Sequence, residues 1–305
     1  MGLFNRASDV EIVMSPAVAT PRQTVTATIT TAKPVDKVTT ASLEWGYTNF
    51  FNYHWAGKAD SLAAGANDAL SAMGEVGTNY GGDRDTDEWV CVTRVELPLG
   101  TSGATGEFTG GSWTFRVPSW APPSSKEIAR WSARLIVDRG GRDLDVHGEF
   151  TVKIGPADVV IEDEPMEVLS GAAETVIDIV LPTSVFVAGE AIRGHAVLTP
   201  TMDLPDGDLA VSWQRRRASH PLTRNPSAGG SLDGKIVPLG KRIPLRAGAP
   251  ITLPFEIPLP ADVPPTSAAV HSSMDWYVQA RMFYAGFTGH MMERVVRPIV
   301  VVNTL

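Results

Sequence analysis

The two halves of this chain carry the same ordered punctuation. Trp113-Thr114-Phe115-Arg116-Val117-Pro118 is followed by Pro122-Pro123 and then by Trp131-Ser132-Ala133-Arg134-Leu135. Leu253-Pro254-Phe255-Glu256-Ile257-Pro258 is followed by Pro264-Pro265 and then by Trp276-Tyr277-Val278-Gln279-Ala280-Arg281-Met282. Each copy is a strand stopped by proline, a loop with a proline pair, and a strand bearing Trp and an Ala-Arg step. Each ends in a β-rich closing strand, around Val152 in one and Val300 in the other. Proline has no N–H to give a sheet ladder, so it marks strand ends. Features that recur together in order indicate a duplicated unit. The chain is expected to fold as two copies of one β-sandwich.

The spacing of apolar residues agrees. In Thr24–Thr30, Val25, Ala27 and Ile29 fall on one face and threonines on the other; Val90–Leu97, Trp131–Val137, Ile192–Leu198, Asp275–Tyr284 and Val295–Val302 alternate similarly. Period-two runs rich in β-branched and aromatic residues predict half-buried antiparallel strands. Gly 28 and Pro 23 in 305 residues supply the turns such a fold needs. The recurring helices of a βαβ fold are missing from the pattern.

Domain limits follow from charge. Residues 156–178 hold seven acids (Asp158, Glu162, Asp163, Glu164, Glu167, Glu174, Asp178) and no Lys or Arg. This predicts a first sandwich over 1–158, an acidic linker over 159–171 and a second sandwich over 172–305. The first carries an insertion at about 45–90. Met1–Arg6 is not followed by an apolar segment, so no secretory signal is expected, and Arg6 stands where a myristoylation motif wants Ser or Thr. A net charge of -8 argues against a nucleic-acid coat. No apolar window is long enough to span a membrane. A lone cysteine, Cys91, excludes an intrachain disulfide and a cysteine zinc cage. The expectation is a cytoplasmic protein without cofactor or metal.

The insertion holds the first candidate site. Trp45, Tyr47, Phe51, Tyr53 and Trp55 alternate along it, with Asn49 breaking the row. Rings on one strand face can form a platform for sugars or a protein partner; the commoner fate of such rings is to fill a core. Asp60-Ser61 then suits the cap of a short helix with Leu62, Ala66, Leu70 and Met73 along one stripe, interrupted by Gly65. Such a stripe docks on its own sandwich, a partner or a second copy. Few bases surround it, which disfavours a membrane surface.

A second candidate is Arg215-Arg216-Arg217, the start of a basic stretch through Arg246. Arginine forks suit carboxylates and phosphates, whereas alternate arginines also solubilise an exposed sheet edge. Asp83–Glu88 lacks the Gly and Glu of a calcium-binding EF-hand loop at the required places and reads as a solvated acidic loop. Cys91, within an apolar strand, reads as an inert core thiol. No G-x-S-x-G elbow or H-E-x-x-H helix is present, and His271, with Ser272, Ser273 and Asp275 beside it, has only sequence adjacency in favour of a triad. No catalytic residue is assigned.

Phe255 to Tyr284, with its Phe-x-Ile-Pro strand end, proline loop and aromatic strand, resembles the arrestin fold. Val187–Gly194, with Gly189-Glu190 before an outgoing strand, is similar to that family's strand turn, and Thr20–Val25 occupies the corresponding place in the first half. In length and opening the chain looks most like the bacterial sporulation-control proteins of the Spo-zero-M type. The resemblance covers nearly the whole chain outside 45–90. It implies paired β-sandwiches and a non-enzymatic scaffold or adaptor that binds other proteins in stress or developmental regulation, with self-association open. The rival reading is a carbohydrate- or ligand-binding module built on the aromatic strand at 45–55.

Overall fold

In the computed structural model the described residues are 10–55, 82–102, 105–160, 165–284 and 292–303. Leu62, Leu70 and Met73, with the helix expected around them, lie outside the described residues. The chain forms two compact units. Unit 1 comprises Met1–Lys153 with Ser219–Ser227 and Ala268–Ser272; unit 2 comprises Ile154–Ala218, Ala228–Ser267 and Ser273–Leu305. The described residues are nearly all β, in antiparallel sheets, with a short 3-10 turn at Pro156–Asp158.

Unit 1 is built from β1 (Val10–Ser15), β2 (Val18–Ala19), β3 (Thr24–Thr31), β4 (Val35–Trp55), β5 (Gly82–Glu96), β6 (Gly100–Ser102), β7 (Thr105–Phe108), β8 (Gly111–Arg116), β9 (Ala129–Arg139) and β10 (Leu144–Val152). One sheet runs β1-β3-β8; the other runs β2-β10-β9-β4-β7-β6, with β5 added to β4. Val25, Ala27 and Ile29 are buried, as their alternation requires. Trp45 of β4 stacks on Phe115 of β8 at 5.1 Å, joining the two sheets, and Trp131 and Phe150 extend the aromatic core.

Unit 2 repeats the plan with β11 (Glu167–Ser170), β12 (Thr175–Val180), β13 (Val185–Val187), β14 (Ala191–Pro200), β15 (Leu204–Ser219), β16 (Gly230–Asp233), β17 (Val237–Leu245), β18 (Ile251–Pro258), β19 (Ser267–Ala268), β20 (Ser272–Tyr284) and β21 (Met292–Val302), of which only the end residues Ser219, Ala268 and Ser272 belong to unit 1. Its small sheet is β12-β14-β18, and its large one follows β11-β21-β20-β15-β16. The acidic stretch at 159–171 contains β11, which pairs with β21.

The sequence repeat has a physical counterpart. Trp131 Nε1 donates to the Pro122 carbonyl at 2.8 Å, and Trp276 Nε1 donates to the Pro264 carbonyl at 3.1 Å. Ser124 N donates to Val152 O and accepts from Val152 N through Oγ; Thr266 and Val301 make the same pair of bonds. In both units a very short strand joins the closing strand in parallel, β2 on β10 and β13 on β21. The paired prolines thus present an acceptor to the indole that anchors the next strand, which explains why Pro-Pro and Trp recur together.

The ends of the expected insertion at 45–90 are strand. Residues 45–55 continue β4, and residues 82–90 begin β5, which pairs along it from Ser42↔Glu96 to Trp55↔Gly82. They are the arms of one antiparallel pair. Asp83–Glu88 is accordingly strand, not loop. A bulge between Trp45 and Gly46 interrupts the register, leaving Val92 as the extra residue on β5. Glycine is required there: a Cβ on Gly46 would lie 2.1 Å from the Val90 carbonyl oxygen and 3.0 Å from the Trp89 ring.

Candidate functional site

The aromatic row does not form a platform. Trp45, Tyr47 and Phe51 are at most 2% exposed and belong to the core, because their parity on β4 points them between the sheets. Tyr47 packs on Trp131 at 5.0 Å, and burial raises the pKa of its hydroxyl. Tyr53 is half-buried and Trp55 is 39% exposed, and each already carries a cation on its ring. Arg224 lies 4.5 Å from the Tyr53 centroid and Arg84 lies 4.1 Å from that of Trp55.

Asn49, which the sequence shows only as a gap in that row, is fully buried and polar. Its Nδ2 donates to Ile128 O and to Ser272 Oγ, both at 2.8 Å, and its Oδ1 accepts from His271 N at 2.7 Å. This bonding ties the 268–272 segment into unit 1, and a lone amide at an inward position of an apolar strand was the available signal. His271 faces Glu88 through Nε2 at 3.4 Å, Ser272 donates to Phe50 O, and Ser273 donates to Asp275. No triad forms from these neighbours.

The outer face of unit 1's large sheet gathers a polar cluster from four strands. Glu44, 8% exposed, accepts from Trp89 Nε1 at 2.8 Å and lies 3.5 Å from Arg94 Nη1 and 4.0 Å from Arg134 Nη1. Arg134 forks onto Asp145 at 2.9 and 2.6 Å, and that bonding holds the Asp145 carboxyl below the usual carboxylate range. His147 lies between Asp145 Oδ1 (3.3 Å from Nε2) and Ser132 Oγ (3.4 Å from Nδ1). The order Ser–His–Asp is that of a hydrolase relay, but Ser132 is only 4% exposed and Asp145 is committed to Arg134. The cluster as arranged cross-links β4, β5, β9 and β10. An open cavity of about 820 Å³ lies on the same unit, where Arg130 sits over Phe50 and 3.6 Å from Glu149.

Cys91 is exposed, which corrects the expectation of a core thiol. It stands opposite Gly46 past the bulge, on the outer face of an edge strand. Burial of its sulfur, then the nearby Glu44 charge, raise its pKa, so exposure does not make it reactive. Beyond Cys91, β5 is an edge strand of unit 1's large sheet among the described residues. One side pairs with β4, and among the described residues nothing pairs with the other. Its run Trp89-Val90-Cys91-Val92-Thr93 carries no charge and is bracketed by Glu88 and Arg94.

Arg215, Arg216 and Arg217 are on β15 and pair with Leu232, Ser231 and Gly230 of β16, so they do not form the solvated edge considered from sequence. Arg216 lies 4.3 Å from the Tyr277 centroid and 3.7 Å from Glu167, one of the acids of the 156–178 tract. Arg217 Nε is buried. The three therefore do not present a common surface. Among the described residues no group of three or more His, Cys, Asp or Glu is arranged to hold a metal, and no helix is long and apolar enough to cross a membrane. No family model and no curated protein matches the chain.

Proposed function

We propose that the protein is a non-enzymatic cytoplasmic adaptor of arrestin-like type that captures extended segments of other proteins by strand addition on β5. The observation that carries this reading is the open edge at Trp89–Thr93. An edge strand offers unpaired N–H and C=O groups as a template, and its alternate side chains set specificity. Natural edges are blunted by charge. Here Asp83, Arg84, Asp85, Asp87 and Glu88 charge the first part of β5, while the five residues after Glu88 carry none. The resemblance to arrestins supports an adaptor role. The aromatic platform has lost three of its five rings to the core, which disfavours the carbohydrate reading.

The test is a phage-displayed library of extended peptides selected on the full chain, followed by amide hydrogen exchange with the enriched peptides. Bound peptide is expected to slow exchange within Trp89–Thr93, and Val92→Lys is expected to abolish enrichment without unfolding the chain. Peptides that bind while leaving those amides unprotected would overturn the reading, as would equal enrichment on Val92→Lys.

A further inference from the structure

The outer face of unit 2's large sheet brings together three arginines from three strands. Arg216 comes from β15, Arg281 from β20 and Arg294 from β21, and Arg281 stands directly opposite Arg294. Arg281 donates to Gln279 and pairs with Asp233. Arg216 donates to Gln214 at 2.9 Å, and Gln214 donates to Asp233 at 2.7 Å. Asp233 is thus fully engaged. Glu167 stands 3.7 Å from Arg216, longer than a charge-assisted hydrogen bond.

Arg294 has neither acid as a bonded partner. Its Nε is buried without a hydrogen bond, and so is Nε2 of Gln279, whose side chain has no exposed surface. Burial, then the Arg281 charge, lower the Arg294 pKa, the mark of a cation under-compensated where it sits. A buried donor without an acceptor carries its full desolvation cost, and like charges held close in a partly buried site repel. An anion removes both penalties at once. Arg216 and Arg281 remain partly exposed, at 30% and 23% of their side chains, so the cluster is open to solvent.

We propose that this face binds a phosphate-class oxyanion, with Arg294 and Gln279 supplying the unused donors and Arg216 and Arg281 the flanking guanidinium groups. A tetrahedral oxyanion fits better than a carboxylate because donors arrive from four side chains on β15, β20 and β21. Charge agrees: Glu167, the loosely held acid, can yield Arg216 to the ligand. Three guanidinium groups then face Asp233 alone, which leaves the charge of a phosphate dianion to be supplied.

The experiment is calorimetric titration of the full chain with inorganic phosphate at constant ionic strength, chloride being the reference. A parallel titration uses O-phosphoserine: tighter binding of one or the other tells a free ion from a phosphorylated side chain as the source. Saturable heat is expected, with binding weaker by about tenfold or more in Arg294→Met, the loss of one charge-assisted contact. Arg224→Met, an arginine of unit 1, is expected to bind as the wild type does. Without phosphate, Arg294→Met is expected to melt at or above the wild-type temperature, since it removes the Nε donor that is buried without an acceptor. The proposal is overturned by an absence of saturable heat with both ligands, by unchanged affinity in Arg294→Met, or by a lower melting temperature of that variant in phosphate-free buffer.

Discussion

Trp131→Phe separates the repeat's hydrogen bond from its general hydrophobicity. Trp131 has no exposed surface and packs on Tyr47, Phe115 and Phe150 at centroid distances of 5.0, 6.3 and 5.9 Å. Phenylalanine keeps an aromatic ring there but removes the Nε1–H that reaches Pro122 O at 2.8 Å. The buried carbonyl then loses its donor, at about 1–3 kcal/mol. The missing part of the indole leaves a partial cavity, at about 1–2 kcal/mol from lost transfer energy and void. Together these give a loss of about 2–5 kcal/mol, a large share of a typical domain stability of about 5–15 kcal/mol. Urea unfolding followed by far-ultraviolet circular dichroism measures it, with the unit 1 transition moving to lower urea. Trp120→Phe is the control: Trp120 is 60% exposed, and its change is expected to stay within about 0.5 kcal/mol. A Trp131→Phe change as mild as Trp120→Phe would overturn this expectation. So would Trp276→Phe, which removes the equivalent bond to Pro264, if it shifts the same transition by the same amount while the unit 2 transition stays fixed.

Two further outcomes follow from the outer face of unit 1. Iodoacetamide is expected to alkylate Cys91 more slowly than a cysteine in a flexible peptide at neutral pH, the difference closing as pH rises, because its raised pKa keeps the thiolate scarce despite exposure; alkylation at the peptide's rate would contradict this. Asp145 has a folded pKa below its unfolded value, so its pairing with Arg134 stabilises the fold above the ordinary carboxylate range of about 4 and loses that effect as pH falls through the folded value. The urea midpoints of wild type and Asp145→Asn are therefore expected to differ by a constant amount from neutral pH to about 5 and to converge in stronger acid. A gap that persists at low pH would assign the effect to packing instead.

Features that depend on neighbours along the chain are legible in the residue order alone. Alternation in Thr24–Thr30 fixed which residues of β3 are buried, and the Pro-Pro, Trp and Ala-Arg order fixed the duplicated plan, because strand parity and proline's missing donor are local properties. Which face of a strand meets another sheet and which meets water depends on how the strands assemble. The same alternation at 45–55 served a platform or a core equally well, until β8 placed Phe115 against Trp45. Cys91 turned outward because one extra residue at the Gly46 bulge shifts its strand's register, and a bulge is a property of two strands together. Asn49 became a hub because Ile128 and residues 268–272, far along the chain, supply its partners. The arginine cluster was out of reach for the same reason. Arg215-Arg216-Arg217 stood out as a run, yet strand parity separates those neighbours, while Arg216, Arg281 and Arg294 share a face only because β15, β20 and β21 lie side by side in one sheet. Charge along a strand is written in the sequence; charge across a sheet is created by pairing.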